Sequence, residues 1–176
     1  MKGELALLLK AFAFAAHKHR DQRRQDQAAS PYINHPIALA DVLVNEGGVA
    51  DVEVLCAALL HDTVEDTATT PQELHSTFGA RIAGIVAEVT DDTRLPKAER
   101  KRLQIERAGG ISHEAKLVKL ADKICNLRDM AERPPASWDL ARRREYFDWA
   151  KRVVDGLRGA HPQLEAAFDA AYSMRK

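Results

Sequence analysis

Apolar side chains recur at every third or fourth position along most of this chain, and no segment alternates them convincingly at every second position. Such spacing gives each segment one apolar helical stripe and supplies no strand with a core-facing side, so the chain must bury its apolar residues helix against helix. The pattern predicts helices over residues 5–14, 37–44, 51–62, 70–79, 82–89, 97–108, 115–130, 138–157 and 163–172. Asp51 and Thr70 are good N-caps, Pro71 suits the first helical position, and Gly79 and Gly109-Gly110 are natural stops. The expected architecture is an all-α helical bundle of seven to nine helices, a single domain over residues 1–176.

Composition narrows the function classes. With 45% hydrophobic and 30% charged residues in 176, the chain can bury a sizeable core and is neither disordered nor repetitive. The 26 basic and 26 acidic residues cancel, which removes the long-range field of a general nucleic-acid or anionic-membrane binder, so phosphate binding would have to be local. Cys56 and Cys125 are too few for a disulfide framework, and the longest apolar run, residues 54–60, falls far short of the roughly 20 needed to span a bilayer. The expectation is a cytoplasmic protein with no membrane or nucleic-acid partner.

Against this background, His61 and Asp62 directly follow the apolar run 55–60, which places an ionisable pair where a buried helix emerges into a cavity. If that helix continues by one turn, Glu65 shares a face with His61, and Asp66 with Asp62. Clustered carboxylates repel unless a cation holds them, and imidazole with carboxylate suits Mn, Fe, Co, Ni or Zn. Helical spacing also sets Lys119, Asp122 and Asn126 on one face, opposite Leu117, Leu120 and Ile124. By itself Asp122 could pair with Lys119 or Lys123 at the surface, or complete a metal shell. His17, His19, His75, His113 and His161 find no place in the pattern and read as structural or solvent-facing, and Phe147 with Trp149 reads as core.

His35, the adjacent His61-Asp62 and the later Asp122 match the H…HD…D order of the HD-domain metal-dependent phosphohydrolases. Tyr32-Ile33-Asn34-His35-Pro36, His61-Asp62-Thr63-Val64-Glu65-Asp66-Thr67 and Leu117-Val118-Lys119-Leu120-Ala121-Asp122-Lys123 further resemble the hydrolase domain of the RelA/SpoT (p)ppGpp enzymes, in its small stand-alone form. The likeness runs from residue 11 to about 164. It implies that His35, His61, Asp62 and Asp122 bind one metal, usually manganese (Mn2+), while Glu65 and Asp66 serve the catalytic water. It implies also that Arg24 brackets the nucleotide base and that Asn126 contacts the sugar or phosphate region. Lys97, Trp138 and Arg142 are candidates to close the far side of the pocket, and Tyr32 to stack or hydrogen-bond beside His35.

In one respect the chain departs from the family: Arg24-Gln25 stands where Arg-Lys is common, and residues 26–30 lack the frequent glycine. A charged contact to substrate can be worth about 1.5–3 kcal/mol, so affinity or nucleotide preference is affected first. The resemblance implies removal of the 3′-pyrophosphate of (p)ppGpp to give GDP or GTP. Release of the 2′-phosphate of NADPH is the competing enzymatic expectation, and a weakly catalytic nucleotide-binding protein with a structural metal is the expectation from another class. The expected ligand is a small nucleotide, bound by a monomer or weak homodimer.

Overall fold

The structure, a computed structural model, describes residues 2–176. Helix α1 (Lys2–Lys18) leads through a loop to α2 (Asn34–Asp41), which runs on as a π-helical segment, Val42–Glu46. Then follow α3 (Val52–Leu60), the single turn α4 (Thr63–Asp66), α5 (Pro71–Phe78), α6 (Ala80–Val89) and α7 (Lys97–Arg107), which tightens into a 3-10 turn, Ala108–Gly110. Helices α8 (His113–Glu132), α9 (Leu140–Asp155) and α10 (Pro162–Ser173) complete the bundle. Nine helices and one helical turn are thus present among the described residues, as the periodicity predicts, and the only β-type pairing there is an isolated bridge, Arg23 to Pro31.

Helix α3 explains the centre of the bundle. Beyond Glu53 in its first turn it is apolar all round and buries Val54 through Leu60 without a break, packing against α1, α2, α6 and α8; a helix apolar all round has no face to give to water. Its start is set by Asp51, whose carboxylate accepts from the Glu53 and Val54 amides at 3.0 and 3.4 Å. The longest helix, α8, is the second axis: Leu117, Leu120, Ile124 and Leu127 face the core, while Asp122 and Asn126 face the site. Thr70 caps α5 as expected, accepting from the Glu73 amide at 3.1 Å, with Pro71 next in line.

The first helix is longer than predicted, Lys2–Lys18 against 5–14, and two others differ in a way that shapes the site. The segment 37–44 starts earlier, at Asn34, and changes to π-helix at Val42, where the Gly47 amide reaches the Val42 carbonyl at 3.0 Å. The helix expected to run into His61-Asp62 ends at Leu60, because Asp62 (φ −97°, ψ −1°) leaves the helical path before α4 restarts it. That break decides how the acidic residues beyond it are aimed.

Candidate metal centre and active-site cleft

The end of α3, the start of α2 and the middle of α8 converge on a cleft of about 150 Å³. His35 from α2 and His61 from the end of α3 are buried, 3% and 5% exposed, and their rings meet edge-on at 5.4 Å. Ligand atoms of His35, His61 and Asp62 all lie within 4.8 Å of one another. Asp122 joins them, its Oδ1 standing 3.3 Å from His35 Nε2.

The donor atoms fit a cation. His61 Nδ1 donates to the Ala58 carbonyl at 2.8 Å, which leaves Nε2 as the free ring nitrogen. That Nε2 has no hydrogen-bond partner, yet Asp62 Oδ2 lies 2.8 Å away, so positive charge, a proton or a metal ion, must lie between them. Burial disfavours a charged His61, and Asp62 outweighs it, raising the imidazole to about 9. His35 is held down by burial and stays neutral, as a ligand must be. Burial also opposes ionisation of Asp122, but Lys123, His35 and His61 together hold its carboxyl well below the usual range. A divalent metal ion would take the place of the His61 proton, and two imidazole nitrogens with two carboxylates then form a donor set for a transition metal.

Other groups hold the ligands in place. Tyr32 stays protonated, its phenol pushed far up by burial and by Asp62, and donates a short hydrogen bond to Asp62 Oδ2. Lys123, buried, donates to Asp122 Oδ2 at 3.0 Å while its ammonium lies 4.4 Å above the Trp149 ring. Asn126 donates to the other Asp122 oxygen. Asp122 is therefore no surface salt-bridge residue, and Trp149, expected as plain core, is half-buried and carries the ammoniums of Lys101 and Lys123 on its ring.

Glu65 and Asp66, successive on α4, point in different directions, as adjacent helical positions do. Glu65 turns into the cleft, with Oε2 accepting from the Asp91 amide at 3.1 Å and Oε1 from Arg100 Nη1 at 3.2 Å. Burial pushes its carboxyl up to about 7. Asp66 instead is exposed and lines an adjoining cavity of about 350 Å³, where Gln22 Nε2 donates to it at 2.9 Å.

Arg24, Tyr32 and Asn126 line both cavities. Arg24 pairs with Asp129 at 2.7 Å and lies 5.6 Å above the Tyr32 ring. Trp138 borders the larger cavity, with the Arg142 guanidinium 4.2 Å and the Lys97 ammonium 5.7 Å from its ring centre; those two cations stand at the rim and line neither space. Sequence reasoning misses Gln22, Arg100, Gln104 and Tyr146, and underrates Lys119, which is 8% exposed, lines the cleft and donates to the Val89 carbonyl at 3.0 Å. Arg100 and Gln104 lie one turn apart on a highly charged helix, and only the fold of Glu65 towards them distinguishes them. His19, set aside as structural, is buried and holds Gln22 Oε1 at 2.6 Å.

Comparison with known proteins agrees with this geometry. Residues 11–147 match the HD domain family. The chain is 58% identical over 160 residues to guanosine-3′,5′-bis(diphosphate) 3′-pyrophosphohydrolase MESH1 of Danio rerio, covering 91% of this chain and 89% of that protein. It is 55% identical over 175 residues to the MESH1 protein of Homo sapiens, covering 99% and 98%. A solved structure described as a metazoan ortholog of SpoT that hydrolyzes ppGpp superposes with a TM-score of 0.94 at 48% identity, over 97% of this chain and 96% of that one. With the HD order of metal-binding residue types gathered at one cleft and likeness along nearly its whole length, the chain belongs to the HD domain family, in the group of the MESH1 proteins.

Proposed function

We propose that this chain is a metal-dependent hydrolase that removes the 3′-pyrophosphate of (p)ppGpp, giving GDP or GTP and pyrophosphate. The observation that carries the reading is the cleft where His35, His61, Asp62 and Asp122 converge beside Glu65, in a chain so similar to proteins bearing that activity in their names. A divalent ion held by those four residues, Mn2+ in our reading, would supply a Lewis acid that acidifies water and neutralises a phosphate oxygen.

The chain's own residues supply the rest. Glu65, with a carboxyl near 7, is suited to take the proton of the attacking water at neutral pH. Asp66, fixed by Gln22, presents a second carboxylate from the side of the larger cavity. Arg24, which lines both cavities, with Lys97 and Arg142 at the rim, supplies positive charge where negative charge develops on the leaving pyrophosphate, which net charge alone would not provide. Arg24 and Tyr32 bracket the base, Asn126 reaches the sugar or phosphate from α8, and Trp138 with Lys97 and Arg142 closes the outer wall. Residues 1–176 act as one domain, cytoplasmic and monomeric or weakly dimeric, without nucleic-acid or membrane partners; no described helix is long and apolar enough to cross a membrane.

Metal-stripped protein reconstituted with Mn2+ and given ppGpp and NADPH in parallel tests the reading. Mn-dependent pyrophosphate with GDP is expected. Orthophosphate with NADH would assign the chain to NADPH instead, and neither product would leave a nucleotide-binding protein with a structural metal.

A further inference from the structure

We propose that Arg100 and Gln104 of α7 are positioning residues that together aim Glu65 into the cleft; the inference rests on the reading of Glu65 as the group that takes the proton. Glu65 sits on a single helical turn, α4, bounded by the break at Asp62 and by extended backbone at Thr67. So short an element has little packing of its own to hold a side chain still, and the carboxylate must be fixed from outside. Both of its oxygens are taken. Arg100 Nη1 donates to Oε1 at 3.2 Å, and the Asp91 amide donates to Oε2 at 3.1 Å. The second contact also leads back to α7, because Gln104 Nε2 donates to Asp91 Oδ2 at 2.7 Å and so ties down the residue whose amide grips Glu65. One turn of one helix thereby governs both oxygens.

Helix α7 is an unusual place for such a device. It contains no buried residue, and its mean hydropathy is the lowest of the helices. Beside the partly buried Ile105, polar contacts seat it, among them the two just described and the Trp149 Nε1 donation to the Lys101 carbonyl at 3.1 Å. Arg100 and Gln104 are half-buried, with Arg100 Nε and Gln104 Oε1 withdrawn from water and unpartnered.

The test is a set of variants read by steady-state kinetics, metal content and amide hydrogen exchange. Arg100→Met is expected to lower kcat about tenfold or more with KM within about twofold, since misplacing a reacting group costs turnover rather than binding. Arg100→Lys should recover part of that loss, Gln104→Ala should show a smaller loss of the same kind, and bound metal should stay at the wild-type level. In a Glu65→Gln background, Arg100→Met should cost less than about twofold more, the non-additivity expected of residues that act through one another. A raised KM with kcat intact would make Arg100 a substrate contact, and an undiminished tenfold loss in the Glu65→Gln background would make its effect independent of Glu65; either overturns the proposal, as does loss of metal. Exchange needs no turnover: Arg100→Met should speed amide exchange in residues 63–66 and 97–107, and unchanged exchange would overturn the clamp. A wild-type protein that hydrolyses neither nucleotide would defeat the proposed function while leaving the exchange result to stand or fall on its own.

Discussion

The chemistry of single residues here is governed by which of them are withdrawn from water. Glu65 loses solvent on entering the cleft and its carboxyl rises to about 7, so below that pH it carries a proton and can accept none. The acid limb of the pH profile of kcat/KM should therefore climb with a midpoint near 7, and Glu65→Gln should flatten it and lower kcat by about 10²–10⁴-fold, the usual contribution of a general base. A second residue is set by its backbone. Ala29 lies at φ 48°, in the left-handed region, within the loop that lacks the family's glycine. Ala29→Gly should raise stability by about 1 kcal/mol in urea unfolding, the relief of a Cβ in left-handed backbone less the added freedom of the unfolded chain. Of the residues at the candidate metal centre, His61 and Asp62 stood out in the sequence at the end of an apolar run, whereas His35 and Asp122 were legible only through the resemblance to the HD-domain pattern, Asp122 by itself fitting a surface ion pair equally well. Lys119 and Lys123 were not legible: a lysine reads as surface until the fold shows it buried against a carbonyl or a carboxylate.

At the scale of elements, most helices could be read from the sequence because stripe and cap agree, as Asp51 and Thr70 show by accepting the amides expected of them. What could not be read are the interruptions. Nothing in the apolar run of α3 announces that the helix ends at Leu60 and restarts at Thr63, and which cavity Glu65 and Asp66 each face is read only from the fold. Likewise the change from α to π at Val42 leaves no mark in the periodicity. That segment ends at Gly47, where a Cβ would stand 2.8 Å from the Leu43 carbonyl oxygen and 3.0 Å from Leu164 of α10. Because backbone cannot yield as a flexible side chain can, Gly47→Ala should cost about 1–3 kcal/mol, visible as a lowered Tm with the metal still bound. In α7 the difficulty is of another kind: a helix held by polar contacts has the composition of an exposed one.

For the whole molecule, the all-helical bundle followed from periodicity, whereas the division of its ligand space did not, because the larger cavity draws on residues 22–26, 126–138 and 146, which only the tertiary fold brings together. The two spaces adjoin and share Arg24, Tyr32 and Asn126, so a nucleotide whose ends occupy both is fastened at two points through one covalent connection. Breaking that connection abolishes the high local concentration each half enjoyed on account of the other. Each fragment then holds on by its own contacts alone. GDP and pyrophosphate, added singly or together to the Mn2+-loaded protein, should accordingly inhibit with constants well above the KM for ppGpp, and initial-rate inhibition measurements check this. Bond cleavage would thus serve as its own release mechanism, clearing the site without any part of the protein having to open.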